Sequence, residues 1–169
     1  GYRLFDTAFN YQNEADVGKA IKQSGLPRNE LFLTSKLGPE QMLPDMQERT
    51  FFASLNALDT EYIDLYLLHW PMNDVLGSWK VLERLYEQGL VRAIGVSNFT
   101  EKHLQKLSAN VNIMPAVNQI EIHPYYNRRS IIDYCIDHNI VLESWGPLGK
   151  GNVLEDSVIK SIAVSYKKT

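Results

Sequence analysis

Six short apolar runs, each followed by a stretch with helical spacing, recur along this chain, and that rhythm narrows the choice of fold more than any other feature. The runs cover residues 2–6, 31–36, 63–69, 91–97, 116–122 and 141–145, at intervals of roughly 25 to 32 residues. That is the length of a strand plus its crossover helix. Between them, Val17, Ala20, Ile21 and Ser24 share a helical face ahead of Gly25 and Pro27. Phe51, Leu55 and Leu58 form a second stripe. Trp79, Leu82, Leu85 and Tyr86 form a third, closed by Gly89. Ile131, Cys135 and His138 form another, and Val158, Ile159, Ile162, Ala163 and Tyr166 the last. Thr100 is placed to cap a weaker helix over 101–107. These stripes read as core. Six βα units in a row predict a parallel α/β fold with both sheet faces covered. With 169 residues, 44% of them hydrophobic, there is material for one sizeable core but hardly for two, so residues 1–169 are read as a single domain.

Two architectures share that pattern. A doubly wound sheet expects a glycine fingerprint after its first strand, and residues 6–14, DTAFNYQNE, contain no glycine. The (β/α)₈ barrel is therefore the expected fold, with catalytic side chains at the strand C-terminal ends. The first three strands end on ionisable groups, Asp6, Lys36 and His69. Counting back by two puts Leu4 under Asp6, Thr34 under Lys36, Leu67 under His69 and Gly95 under Ser97, one consistent inward phase. With strands about 4.8 Å apart, Asp6, Lys36 and His69 should converge at the barrel mouth, with Tyr11 entering from the first loop.

Composition removes several function classes. A formal net charge of −3 and scattered basic residues leave no basic field for a nucleic acid. Cys135 is the single cysteine, so no internal disulfide can form, which fits a reducing compartment. No leader-like segment opens the chain and no apolar run spans a bilayer. The expectation is a soluble, cytoplasmic protein with no membrane partner. His69, His103, His123 and His138 are too dispersed for a recognisable metal motif, so no metal is expected. Residues 146–151, GPLGKG, lack the spacer and the final hydroxyl residue of a phosphate loop. Oligomeric state is left open.

The four converging groups have a definite chemistry. A phenol with a pKa near 10 is a poor acid at neutral pH, and a nearby ammonium favours its ionised form. At about 4 Å and an effective dielectric near 20, that attraction is about 4 kcal/mol before desolvation opposes it. A carboxylate beside the ammonium keeps the lysine charged, and an imidazole can hold a substrate oxygen in line. The set suits protonation of a carbonyl oxygen as it becomes an alkoxide.

The stretches YRLFDTAFNYQNE (2–14), LTSK (33–36), YIDLYLLHWP (62–71), GLVRAIGVSNF (89–99) and PAVNQIEIHPY (115–125) resemble, in order, the signatures of the aldo-keto reductases, from Gly1 to about Tyr166. The resemblance implies reduction of small aldehydes or ketones by hydride from NADPH, with NAD(H) left open as the alternative cofactor. It implies Tyr11 as proton donor, Lys36 and Asp6 as the pair that tunes it, and His69 as the group orienting the carbonyl. It places Trp70 in the wall of the substrate pocket, Ser97, Asn98 and Gln119 on the nicotinamide carboxamide, and Trp145 on the nicotinamide ring. Asp6 also borders that cofactor site. The turn Gly146, Pro147, Leu148, Gly149 falls near the pyrophosphate. A non-catalytic scaffold or regulatory subunit with the same fold is the competing expectation.

The chain also departs from the family pattern. Gly146 stands where the family has serine, which shifts the pyrophosphate contact to backbone amides. Gly38 stands where tryptophan is frequent, and the loop from Met72 to Ser78 is short, so an open pocket is expected. The resemblance covers strands two to seven of the barrel, with no counterpart of the first and eighth. A six-strand arc leaves two parallel edges, so these residues alone are expected to aggregate or to be completed by another segment.

Overall fold

A computed structural model of the chain describes residues 1–168. Strands β1 (Leu4–Asp6), β2 (Phe32–Leu37), β3 (Ile63–Leu68), β4 (Val91–Ser97), β5 (Val117–Glu121) and β6 (Val141–Trp145) alternate with helices α1 (Glu14–Gln23), α2 (Gln47–Leu58), α3 (Val75–Glu87), α4 (Glu101–Ser108), α5 (Arg129–Asp137) and α6 (Ser157–Ser165). The strands pair in chain order, every pair parallel. The sheet is curled into half a barrel. Four strand steps separate β1 from β5, about 19 Å in a flat sheet, yet Gln119 Nε2 donates to Asp6 Oδ2 at 2.9 Å. Only strong curvature brings those two strand ends together.

Strand alternation divides the sheet into two faces. Leu33, Leu37, Tyr66, Leu68, Ile94, Val96 and Ile120 face the helices and pack with Phe51, Leu55 and Leu58 of α2, Trp79, Leu82 and Leu85 of α3, Leu104 and Leu107 of α4, and Ile131 and Cys135 of α5. The opposite parity, Thr34, Lys36, Leu67, Gly95, Ser97, Gln119 and Glu143, lines the inside, where Lys36 pairs in register with Leu67 and Leu67 with Gly95, and Gln119 with Ser97 and Glu143. Gly95 is required there, since a Cβ on it would lie 2.6 Å from Val117 O. On the outside, Gly18 lets α1 lie against the end of α2, where a Cβ would meet Leu58 O at the same distance.

Several helical stripes differ from the sequence reading. In α1 the buried positions are Glu14 and Gly18, with Val17 and Ile21 half-buried, while Ala20 and Ser24 face solvent. The covered face is one step earlier because Gly18 makes the close contact. Tyr86 is exposed, as its ring lies beyond the edge of the α3 interface. His138 is not on the buried face of α5. It lies just past the helix and stacks on Tyr134 with ring centroids 4.0 Å apart. Val158 and Ile162 of α6, and Tyr166 just past its end, are exposed among the described residues, because no neighbouring element covers that face. The loop after Met72 ends earlier than expected, since Asp74 caps α3 by accepting from Gly77 N at 2.9 Å.

The end of the barrel away from the strand C-termini is held by Asp64, whose side chain is 2% exposed. It accepts from Leu33 N at 2.9 Å, from Arg28 at 2.8 Å and from Arg92 at 3.1 Å. Both guanidinium groups also lie on Tyr62, at 4.0 and 4.3 Å from its ring centroid. Removing one member of a buried ion pair is costly because the remaining charges lose their partner. Asp64→Ala is expected to lower unfolding free energy by about 3 kcal/mol in equilibrium urea unfolding of the full-length protein. Arg92→Ala, at a half-exposed site, should cost under about 1 kcal/mol.

Candidate active site

The inward phase of β1, β2 and β3 delivers three ionisable groups to one end of the half-barrel, and the loop after β1 brings the fourth. Thr7 N continues the β1 pairing by donating to Thr34 O at 2.9 Å. The chain then tightens into a single 3₁₀ turn at Phe9–Tyr11, closed by Tyr11 N on Ala8 O at 3.0 Å, and leaves it through Gln12 in the left-handed region. This turn places the Tyr11 ring over Lys36, whose Nζ is 5.1 Å from the ring centroid. The Tyr11 and His69 rings meet edge to face at 5.6 Å. Asp6, Tyr11, Lys36 and His69 are thus one cluster. The Tyr11 hydroxyl has no hydrogen-bond partner among the described residues, and the side chain is half exposed.

Lys36 is 1% exposed and would be untenable there without compensation. Its ammonium donates to Asp6 Oδ1 and, at 3.0 Å, to Thr7 O. Asp6 in turn accepts from Gln119. The lysine therefore sits behind the cleft while the phenol and imidazole line it.

His69 directly follows β3 and is anchored by its N–H to Leu37 O at 3.0 Å. Burial, reinforced by the positive charge of Lys36, pushes its imidazole down to about 4, so the ring is neutral near pH 7. Among the described residues its Nδ1 is buried without a partner. A buried lone pair is tolerated better than a buried orphan N–H, which favours the tautomer with the proton on Nε2, free to donate to an oxygen in the cleft. The unfolded imidazole titrates near 6.5, so between about 6.5 and 4 the unfolded chain binds the proton and the folded one does not. Stability is expected to fall as pH drops through that window, and His69→Asn should flatten that part of a melting-temperature profile of the full-length protein.

The remaining residues close the other side. Asn98 follows β4 with φ of 63°, a left-handed conformation that asparagine tolerates. Its Nδ2 donates to His69 O at 3.1 Å and Ser97 Oγ at 3.0 Å, and its Oδ1 accepts from Trp145 Nε1 at 2.9 Å. Ser97 Oγ donates to Gln119 O at 3.0 Å. The protein thus uses the donors of Ser97 and Asn98 internally and leaves acceptor capacity on Asn98 Oδ1 and Gln119 Oε1. An amide NH₂ group, such as that of a nicotinamide carboxamide, fits this acceptor set. Trp145 is half-buried, its ring fixed at the indole nitrogen. In the following turn Gly146 and Gly149 have positive φ, and Gly149 N donates to Gly146 O at 2.8 Å, so that amide closes the turn.

Asp6, Tyr11, His69, Trp70, Ser97, Asn98, Gln119, Glu143, Ser144 and Trp145 surround a cleft of about 410 Å³. Gly146, Pro147, Leu148 and Gly149 lie outside that lining. The space above Gly38 is occupied by Asn10, which donates to Glu40 at 3.0 Å, so absence of a large side chain there does not simply widen the cleft. Glu143 is a lining residue that the sequence reading passed over. The parity count that places Asp6 and Lys36 inside also places Glu143 there, two residues before Trp145, and would have found it. Among the described residues no three His, Cys, Asp or Glu side chains are grouped to hold a metal ion, and no helix is long and apolar enough to cross a membrane.

The model of the Aldo/keto reductase family matches residues 1–168. Among curated proteins, glyoxal reductase of Bacillus subtilis is 45% identical over 170 residues, covering all of this chain and 62% of the relative. Among solved structures, an aldo-keto reductase from a Medee basin deep-sea metagenome library superposes with a TM-score of 0.96 at 42% identity, covering all of this chain and 64% of that one. A Gox0644 variant in complex with NADPH gives 0.93 at 41% identity, with 100% and 62% covered. The chain therefore spans about three-fifths of the length of these relatives. The solved barrels place the six-stranded sheet within a (β/α)₈ architecture.

Proposed function

This chain belongs to the aldo/keto reductase family, and from that membership we propose that the protein reduces small aldehydes and ketones to alcohols with NADP(H), Tyr11 acting as proton donor. The observation that carries the reading is the cluster at the cleft, where the Tyr11 ring lies 5.1 Å from the Lys36 ammonium and 5.6 Å from a neutral imidazole. When bound, the reduced nicotinamide supplies the hydride that no side chain here can provide. His69 donates from Nε2 to the carbonyl oxygen and holds it against the Tyr11 hydroxyl. Tyr11 gives that oxygen its proton as negative charge develops, and the Lys36 ammonium, paired with Asp6, lies beside the ring left as phenolate. Trp70 walls the substrate side. Asn98 and Gln119 would hold the carboxamide as acceptors, with Ser97 bonded to the Asn98 side chain and the Gln119 carbonyl, and Trp145 would face the nicotinamide. The turn Gly146–Gly149 borders the pyrophosphate.

Glyoxal reduction by a relative supports small, reactive aldehydes as the substrate class, and the NADPH complex of a neighbour supports NADP(H) over NAD(H). A single buried cysteine is consistent with a cytoplasmic location. The test is a steady-state assay of the full-length protein with NADPH and a graded panel of aldehydes and ketones. Turnover of the small aldehydes is the expected result. Tight NADPH binding without oxidation by any carbonyl would instead favour a non-catalytic scaffold.

A further inference from the structure

Gln119 is held from two sides. Its Nε2 donates to Asp6 Oδ2 at 2.9 Å and to Glu143 Oε1 at 2.8 Å. Both partners are carboxylates, which accept, so the amide is oriented with its nitrogen toward them and its oxygen away. Among the described residues Oε1 has no hydrogen-bond partner, and Gln119 lines the cleft. One hydrogen bond fixes a distance, while two to the same nitrogen fix the plane of the amide. Asp6 is already engaged by Lys36, so β6, through Glu143, supplies the second anchor.

We propose that Glu143 is a positioning residue that, through Gln119, presents Oε1 as the acceptor for the NH₂ group of the nicotinamide carboxamide. The inference rests on the proposed NADP(H) function and concerns how this chain prepares that site. Glu143 touches neither hydride nor carbonyl in this role. It acts by keeping Gln119 from rotating and by closing a hydrogen-bonded chain from Glu143 through Gln119 and Asp6 to Lys36.

The experiment is a fluorescence titration of NADPH into the full-length protein. Glu143→Ala is expected to weaken binding about tenfold, the scale of one charge-assisted hydrogen bond. Glu143→Gln, which retains an acceptor at the same reach, should stay within about twofold of the wild type. Glu143→Val, β-branched and suited to a strand, serves as a second removal variant. In a Gln119→Ala background, Glu143→Ala should have no further effect. The cofactor KM should rise in step while kcat changes less. Wild-type affinity in both removal variants, or losses that multiply in the double variant, would overturn the inference while leaving the reductase assignment intact. Failure of the wild type to bind NADPH would overturn both.

Discussion

Tyr11→Phe is expected to lower kcat/KM for aldehyde reduction by about 10²–10⁴-fold, the usual contribution of a positioned acid, while the NADPH dissociation constant changes less than about threefold. The ring is kept, so its contacts with Lys36 and His69 persist. The hydroxyl has no hydrogen-bond partner among the described residues, so its removal orphans nothing and the fold should be unaffected. An assay paired with a cofactor titration separates the two effects. A large loss in both would mean that Tyr11 supports the site instead of donating a proton.

Lys36→Met is expected to lower kcat/KM by at least about 10²-fold through a different route. Methionine fills a similar volume but removes the ammonium beneath the Tyr11 ring, and with it the positive charge beside the proton donor. It also strips Asp6 of its cationic partner, leaving Gln119 as the other neighbour of that carboxylate. Some stability should be lost as well, since the ammonium is buried and Asp6 loses its ion-pair partner. Circular dichroism and the NADPH titration distinguish a folded, binding-competent but slow variant from a collapsed one. Lys36→Arg would not rescue, because the planar guanidinium cannot occupy the space between Asp6 and Thr7 O as a compact ammonium does.

The strand positions and the inward phase of their ends were legible because both follow from period-two alternation. Counting by two from Asp6, Lys36, His69 and Ser97 gives the inner face found in the structure, whereas Gln119 was named only through the family resemblance. The helical stripes were less legible. Periodicity identifies an apolar face but says nothing about what covers it, so Tyr86, Val158, Ile162 and Tyr166 read as core and are exposed. Gly18 was missed for the converse reason, since a glycine carries no apolar signal although it lets α1 lie against the end of α2. Asp64 was hidden within an otherwise apolar strand, and its two arginines lie 36 and 28 residues away in sequence. Hydrogen bonds across the barrel, such as Gln119 to Asp6, arise from curvature, which no local pattern encodes.

The central claim is that Lys36 works through Tyr11, and the double variant Tyr11→Phe/Lys36→Met of the full-length protein tests it most directly. If the ammonium serves the phenol, removing it costs nothing once the hydroxyl is gone, and kcat/KM of the double variant should match that of Tyr11→Phe within about threefold. Losses that multiply would contradict the account, because they would show the two groups acting independently.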